Sequence, residues 1–124
     1  MSLIYEEECY AIRGALYEVY KETGNGFLES VYQECLEREF QTQNIPFVSK
    51  PELTLEYKGS PLSHIFIPDF ICFDKIIIEL KSVRELTPEH KAQVMNYLKV
   101  SKKRLGLLVN FSAYPQVQIE RIVL

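Results

Sequence analysis

Apolar residues recur at Cys9, Ile12, Leu16, Val19 and Tyr20, and this spacing predicts an amphipathic helix over residues 6–22. Gly24-Asn25-Gly26 ends it. Leu28, Val31, Tyr32, Cys35, Leu36 and Phe40 form the stripe of a second helix over residues 27–41, and the short glycine turn makes the two helices neighbours. The period then changes to two. Residues 45–50 and 53–58 read as strands, the second with Leu53, Leu55 and Tyr57 alternating against Thr54, Glu56 and Lys58; Gly59-Ser60-Pro61 reads as a turn.

Residues 65–81 read as two strands joined at Asp74-Lys75, because β-branched and aromatic residues fill both arms. Ile76-Ile77-Ile78 and Phe70-Ile71-Cys72-Phe73 are apolar at every position, as in a sheet covered on both faces. Thr87-Pro88-Glu89 then supplies an N-cap, a proline suited to the first helical position and an acid in the first turn of a helix reaching about Val100. Leu105 to Phe111 is a buried strand after a crossover helix, the order that produces a parallel pair. Residues 116–123 make one short edge strand. The expected fold class is α/β (α+β), one domain over residues 1–124, with a mixed central sheet flanked by helices.

Composition narrows the function. With 124 residues, a formal charge of -3 and a pI near 5.4, the chain is one core's worth of protein and not one that coats nucleic acid electrostatically. Any contact with nucleic acid has to use a local patch. Cys9, Cys35 and Cys72 are odd in number and lie on apolar faces, which reads as reduced core cysteine and favours the cytoplasm. The acidic start Glu6-Glu7-Glu8 and the lack of any long apolar run argue against a targeting segment and a membrane.

Three charges interrupt the apolar hairpin: Asp69, Glu79 and Lys81. Glu79 and Lys81 point the same way along a strand, roughly 7 Å apart, and Leu80 points opposite. A three-residue loop at Phe73 to Lys75 sets Asp69 directly opposite Glu79; a strict two-residue turn would put them on opposite faces, so the pairing requires that loop or a bulge. Two adjacent carboxylates are costly unless a cation or proton intervenes, and oxygen ligands suit Mg²⁺ or Mn²⁺. Such an ion beside Lys81 suits phosphodiester hydrolysis. A bare Glu-x-Lys is by itself most simply an exposed ion pair, but charges at the end of a doubly covered strand need a partner or a task.

Other candidates flank this hairpin. Glu29 and Tyr32, three apart on the second helix, project a carboxylate and a phenol from one face. His90, Gln93 and Tyr97 share one face of the third helix, where Gln93 can bridge Lys81, water and a phosphate oxygen. Lys99, Lys102, Lys103 and Arg104, with Lys91 and Arg84 as extensions, form a basic cluster read first as complement to a helix C-terminus and second as a phosphate site. His64 reads as structural.

With those residues in place, the chain resembles the PD-(D/E)XK nuclease superfamily, and within it the small Gly-x-x-Glu-x-x-Tyr family. Gly26 to Tyr32 carries that name motif, Pro68-Asp69 with Glu79-Leu80-Lys81 the superfamily signature, and Gln93 to Tyr97 a Gln-x-x-x-Tyr motif. The resemblance implies a restriction-endonuclease-like αβββαβ core. It implies Asp69 and Glu79 as metal ligands, with the Leu80 carbonyl as a third and Glu29 binding directly or through water. Lys81 is then the catalytic lysine, Gln93 positions lysine or substrate, and Tyr32, Tyr97 and His90 are supports. The expected activity is Mg²⁺- or Mn²⁺-dependent cleavage of nucleic acid, DNA rather than RNA. The alternative is a non-catalytic interaction module with a nuclease-like fold, working as a homodimer or as a subunit of a larger complex.

Overall fold

A computed structural model describes residues 3–124. Helices α1 (Glu6–Thr23) and α2 (Glu29–Thr42) precede strands β1 (Phe47–Ser49), β2 (Leu53–Tyr57), β3 (Ser60–Phe66), β4 (Phe70–Cys72) and β5 (Ile76–Lys81). Helix α3 (Pro88–Ser101), β6 (Leu105–Asn110) and β7 (Gln118–Val123) complete the chain. The main sheet has the order β1-β4-β5-β6-β7; only β5 and β6 run parallel, as a crossover through α3 requires. This is the mixed sheet of an α+β, restriction-endonuclease-like fold. Its αβββαβ core is α2, β1, β4, β5, α3 and β6.

One expected element moves. The hairpin arm read from Ile65 is broken at Pro68: Ile65 and Phe66 belong to β3, which pairs with β2 in a separate two-stranded sheet inserted between β1 and β4. Proline cannot donate to a ladder, so the chain leaves one sheet and enters another across Ile67-Pro68-Asp69. The β2–β3 turn accordingly tightens to Lys58-Gly59, both at positive φ, and Ser60-Pro61 starts a strand.

The two sheet faces bury different partners. Ile76, Ile78 and Leu80 of β5 join Leu105, Leu107 and Val109 of β6 against Ile12, Leu16, Leu36 and Phe40 of α1 and α2. Ile77 and Leu108 point the other way, against Val94, Tyr97 and Leu98 of α3, with Leu53 and Phe66 of the small hairpin at the edge. Each such side chain contributes about 1.5–3 kcal/mol by leaving water, which is why the apolar runs of β4 and β5 have no polar alternate. The α3 contact is close. A Cβ on Gly106 would meet Val94 Cγ1 at 2.5 Å, so glycine there lets the helix lie down on the strand.

Candidate active site

The ladder between β4 and β5 stops at Phe70↔Ile78, whereas β5 and β6 stay paired through Lys81↔Asn110. Glu79, Leu80 and Lys81 therefore have a free edge on the β4 side. Asp69 fills it: its Oδ2 accepts from the Leu80 N–H at 2.7 Å, and its own N–H donates to Glu79 Oε1 at 3.1 Å. The loop Phe73 to Lys75 that sets this register holds Phe73 and Asp74 at φ of 56°, the left-handed geometry a three-residue connection needs. A residue's N–H and C=O leave a strand by the same edge, so the Leu80 carbonyl also projects beside Asp69.

Glu79 and Lys81 emerge on the α3 face, as alternation from Ile77 requires. Lys81 Nζ lies 3.7 Å from Glu79 Oε2 and donates to Gln93 Oε1 at 2.8 Å. Gln93 Nε2 in turn donates to the Tyr97 hydroxyl at 3.1 Å, and that hydroxyl donates to the Ile67 carbonyl at 3.4 Å. Burial, with Glu79 and Asp69 nearby, pushes the Tyr97 phenol up to about 12, so it stays neutral and holds Gln93 in place.

The opposite wall comes from α2 and the end of β1. Lys50, in left-handed conformation after β1, places its ammonium against Asp69 Oδ1, and its N–H donates to the Asp69 carbonyl at 2.9 Å. Gln33 donates to Ser49 Oγ at 2.9 Å and to the Asp69 carbonyl at 3.1 Å, while Ser49 donates to Glu37. Together these walls enclose an open cavity of about 390 Å³ that takes in Glu29, Asp69, Glu79, Leu80, Lys81, Gln93 and Tyr97.

Sequence reasoning missed Lys50 and Gln33. Gln33 was within reach, being one turn beyond Glu29 on the same face. Lys50 was not, because the β1–β4 pairing that carries it to Asp69 spans the inserted hairpin.

Electrostatically the site is under tension. Burial, and next the charge of Asp69, push the Glu79 carboxyl up to about 8. Gln33, on the cavity wall, keeps a buried Oε1 with no hydrogen-bond partner. Oxygen donors with excess negative charge suit a hard divalent cation, which would offset the crowding of the two carboxylates. Among the described residues no group of three or more His, Cys, Asp or Glu forms a metal cage. Two carboxylates and a main-chain carbonyl are the first donors on offer, with Glu29 further out and exposed.

Two predicted supports lie outside the cavity. His90 does not line the cavity; it caps α3, its Nδ1 accepting from the Thr87 N–H at 3.0 Å while its N–H donates to Thr87 Oγ1 at 3.4 Å. Tyr32 and Glu29 do not act as a pair. Tyr32 is fully buried, stacked on Phe111 at 4.2 Å, and its hydroxyl donates to the Gly24 carbonyl at 2.6 Å and accepts from the Phe27 N–H at 3.2 Å. It therefore clamps the turn in which Gly26, at φ +101°, leads into Glu29 at the start of α2. The basic cluster serves the end of α3: Lys102 is its left-handed C-cap, and Lys103 donates to the Asp74 carbonyl at 2.9 Å. His64 lies edge-on to Phe66 in β3.

The PD-(D/E)XK nuclease superfamily matches residues 6–122 of this chain. No curated protein and no solved structure matches it. The match spans α1 to β7 and so contains the whole core and every residue of the cavity. With that extent and that site, the chain belongs to the PD-(D/E)XK nuclease superfamily.

Proposed function

We propose that the protein hydrolyses phosphodiester bonds in nucleic acid, DNA rather than RNA, as a Mg²⁺- or Mn²⁺-dependent enzyme of the Gly-x-x-Glu-x-x-Tyr branch. The observation that carries this reading is the convergence of Asp69, Glu79, the edge of Leu80, and Lys81 in one open cavity with Glu29 and Gln93. Asp69, Glu79 and the Leu80 carbonyl would hold the cation, with Glu29 joining directly or through water. When bound, such a cation polarises a phosphoryl oxygen and lowers the pKa of a water.

The chain's own groups do the rest. A cation held there would favour the ionised form of Glu79, because its charge would offset the burial and the Asp69 charge that raise the carboxyl's pKa. Lys81, steered by Gln93, presents an ammonium that orients the attacking water and offsets charge gathering on the phosphate. Tyr97 keeps Gln93 turned so that its oxygen faces Lys81.

The test is cleavage of labelled single-stranded DNA, duplex DNA and RNA in Mg²⁺ or Mn²⁺. Wild type cuts and EDTA stops it; Lys81→Ala lowers the rate at least about a hundredfold while the melting curve stays cooperative. Undiminished cleavage by Lys81→Ala would show the assigned chemistry to be wrong.

One observation favours a second reading, the non-catalytic interaction module. Tyr57, Leu62 and Ile65 are exposed on the inserted hairpin, where a partner or second copy could cover them. Absence of cleavage together with a concentration-dependent dimer in solution would favour it over the enzyme.

A further inference from the structure

Lys50 has two relations that pull in different directions. Its ammonium sits on Asp69 Oδ1, one of the two carboxylates that face the cavity, while about half of its side chain is exposed. Asp69 by contrast is nearly enclosed, its other oxygen taken by the Leu80 N–H. A cation that takes Asp69 Oδ1, the oxygen the backbone leaves free, must therefore meet Lys50. Burial lowers the pKa of Lys50, but the bond to Asp69 and the charges of Asp69, Glu79 and Glu29 outweigh it, so the ammonium stays protonated. A bound divalent ion replaces that attraction with repulsion.

We infer that Lys50 is an exchangeable counter-ion: it neutralises Asp69 in the metal-free protein and, once a divalent cation displaces it, turns to the substrate as a second phosphate-binding lysine opposite Lys81. The inference rests on the metal-dependent nuclease reading above. Three features of the chain support the movement. Apart from the contact of its ammonium with Asp69 Oδ1, Lys50 is held by its backbone, through its N–H to the Asp69 carbonyl, so the side chain can leave Asp69 without disturbing the strand end. Its four-carbon stem lies on the cavity wall, and its ammonium is not among the partners of Gln93. And Lys50 and Lys81 are the two basic side chains lining that cavity, so on a chain of net charge -3 they are the local positive charge a phosphate would meet.

The two roles give Lys50→Met effects of opposite sign, which a merely structural ion pair would not. Calorimetric titration with Mn²⁺ alone should show Lys50→Met binding roughly fivefold tighter than wild type, because the ion no longer displaces a cation. Lys50→Arg, which keeps the charge, should bind as wild type does. In a Lys81→Ala background, which slows cutting enough for binding to be read, anisotropy of a labelled oligodeoxynucleotide should show Lys50→Met weakening binding roughly tenfold in Mn²⁺ and little in EDTA.

Unchanged or weaker Mn²⁺ binding by Lys50→Met overturns the inference; if wild-type binding is at the same time abolished by Asp69→Asn, the proposed function stands without it. Equal loss of oligonucleotide affinity with and without Mn²⁺ also overturns it, since Lys50 would then be free in both states. Failure of wild type to bind Mn²⁺ removes the inference and the proposed function together.

Discussion

Two polar groups are buried side by side at the same end of the sheet, on adjacent parallel strands. Asn110 closes β6 and is paired in register with Lys81 of β5, two residues beyond Glu79. Both polar atoms of the Asn110 amide are partnered: Oδ1 accepts from the Val83 and Ser112 N–H groups at 3.1 Å each, and Nδ2 donates to the Val83 carbonyl at 2.9 Å. The neighbouring carboxylates are ionisable, crowd one another, and share their cavity with the unpartnered Gln33 Oε1. Both places are buried and hydrogen-bonded, so burial alone does not tell them apart. The difference is closure: Asn110 is satisfied within the fold and ties the β5 exit loop to β6, whereas the carboxylates face an open cavity and Glu79 has a raised pKa.

Substitutions can break this comparison. The largest effect on stability should come from Asn110→Ala, which leaves two N–H groups and a carbonyl without partners and should cost about 3 kcal/mol in denaturant unfolding with an unchanged m-value. A loss under about 0.5 kcal/mol would mean that the network is not closed as described.

Glu79→Gln should act in the opposite direction. Wild-type Glu79 has its pKa raised from 4.5 to about 8 in the folded state, so its contribution is fully present below pH 4.5 and declines as pH rises toward 8. Metal-free wild type should therefore melt lower at pH 9 than at pH 5. In Glu79→Gln that decline should shrink, leaving it more stable than wild type at pH 9 by roughly 2 kcal/mol. Parallel pH profiles for the two proteins would show that the carboxylates are not strained.

The smallest effect should come from Lys91→Ala on α3, which removes an exposed pair with Glu120 at 3.3 Å and should change stability by less than about 0.5 kcal/mol. That variant sets the scale against which a buried polar group counts.

How the site could be read in advance follows from the same local physics. Asp69 and Glu79 come together because strand side chains alternate and because Phe73, Asp74 and Lys75 make a three-residue loop; both conditions are local and visible in the order of residues. Thr87-Pro88 as the start of α3 is equally local, as is the apolar run that demands cover on both faces of β5. The place of His90 was open for a related reason. Its position at the third residue of α3 allows both a place on the Gln93 face and a reach back to the Thr87 N–H, and only the folded chain chooses between them. Pro68 was a sign of a broken strand, but apolar residues on both sides of it made the arm look continuous.

The sequence by itself therefore determined most of the elements and the family signature, and narrowed the register of the carboxylate pair to a choice of turn, because each depends on residues within a few positions of one another. Only the tertiary structure decided that β2 and β3 form a separate hairpin, that Tyr32 turns into the core while Glu29 faces the cavity, and that Lys50 and Gln33 reach Asp69. Those outcomes come from long-range strand pairing and helix packing, whose partners are chosen by burial of the whole core and leave no periodic trace along the chain.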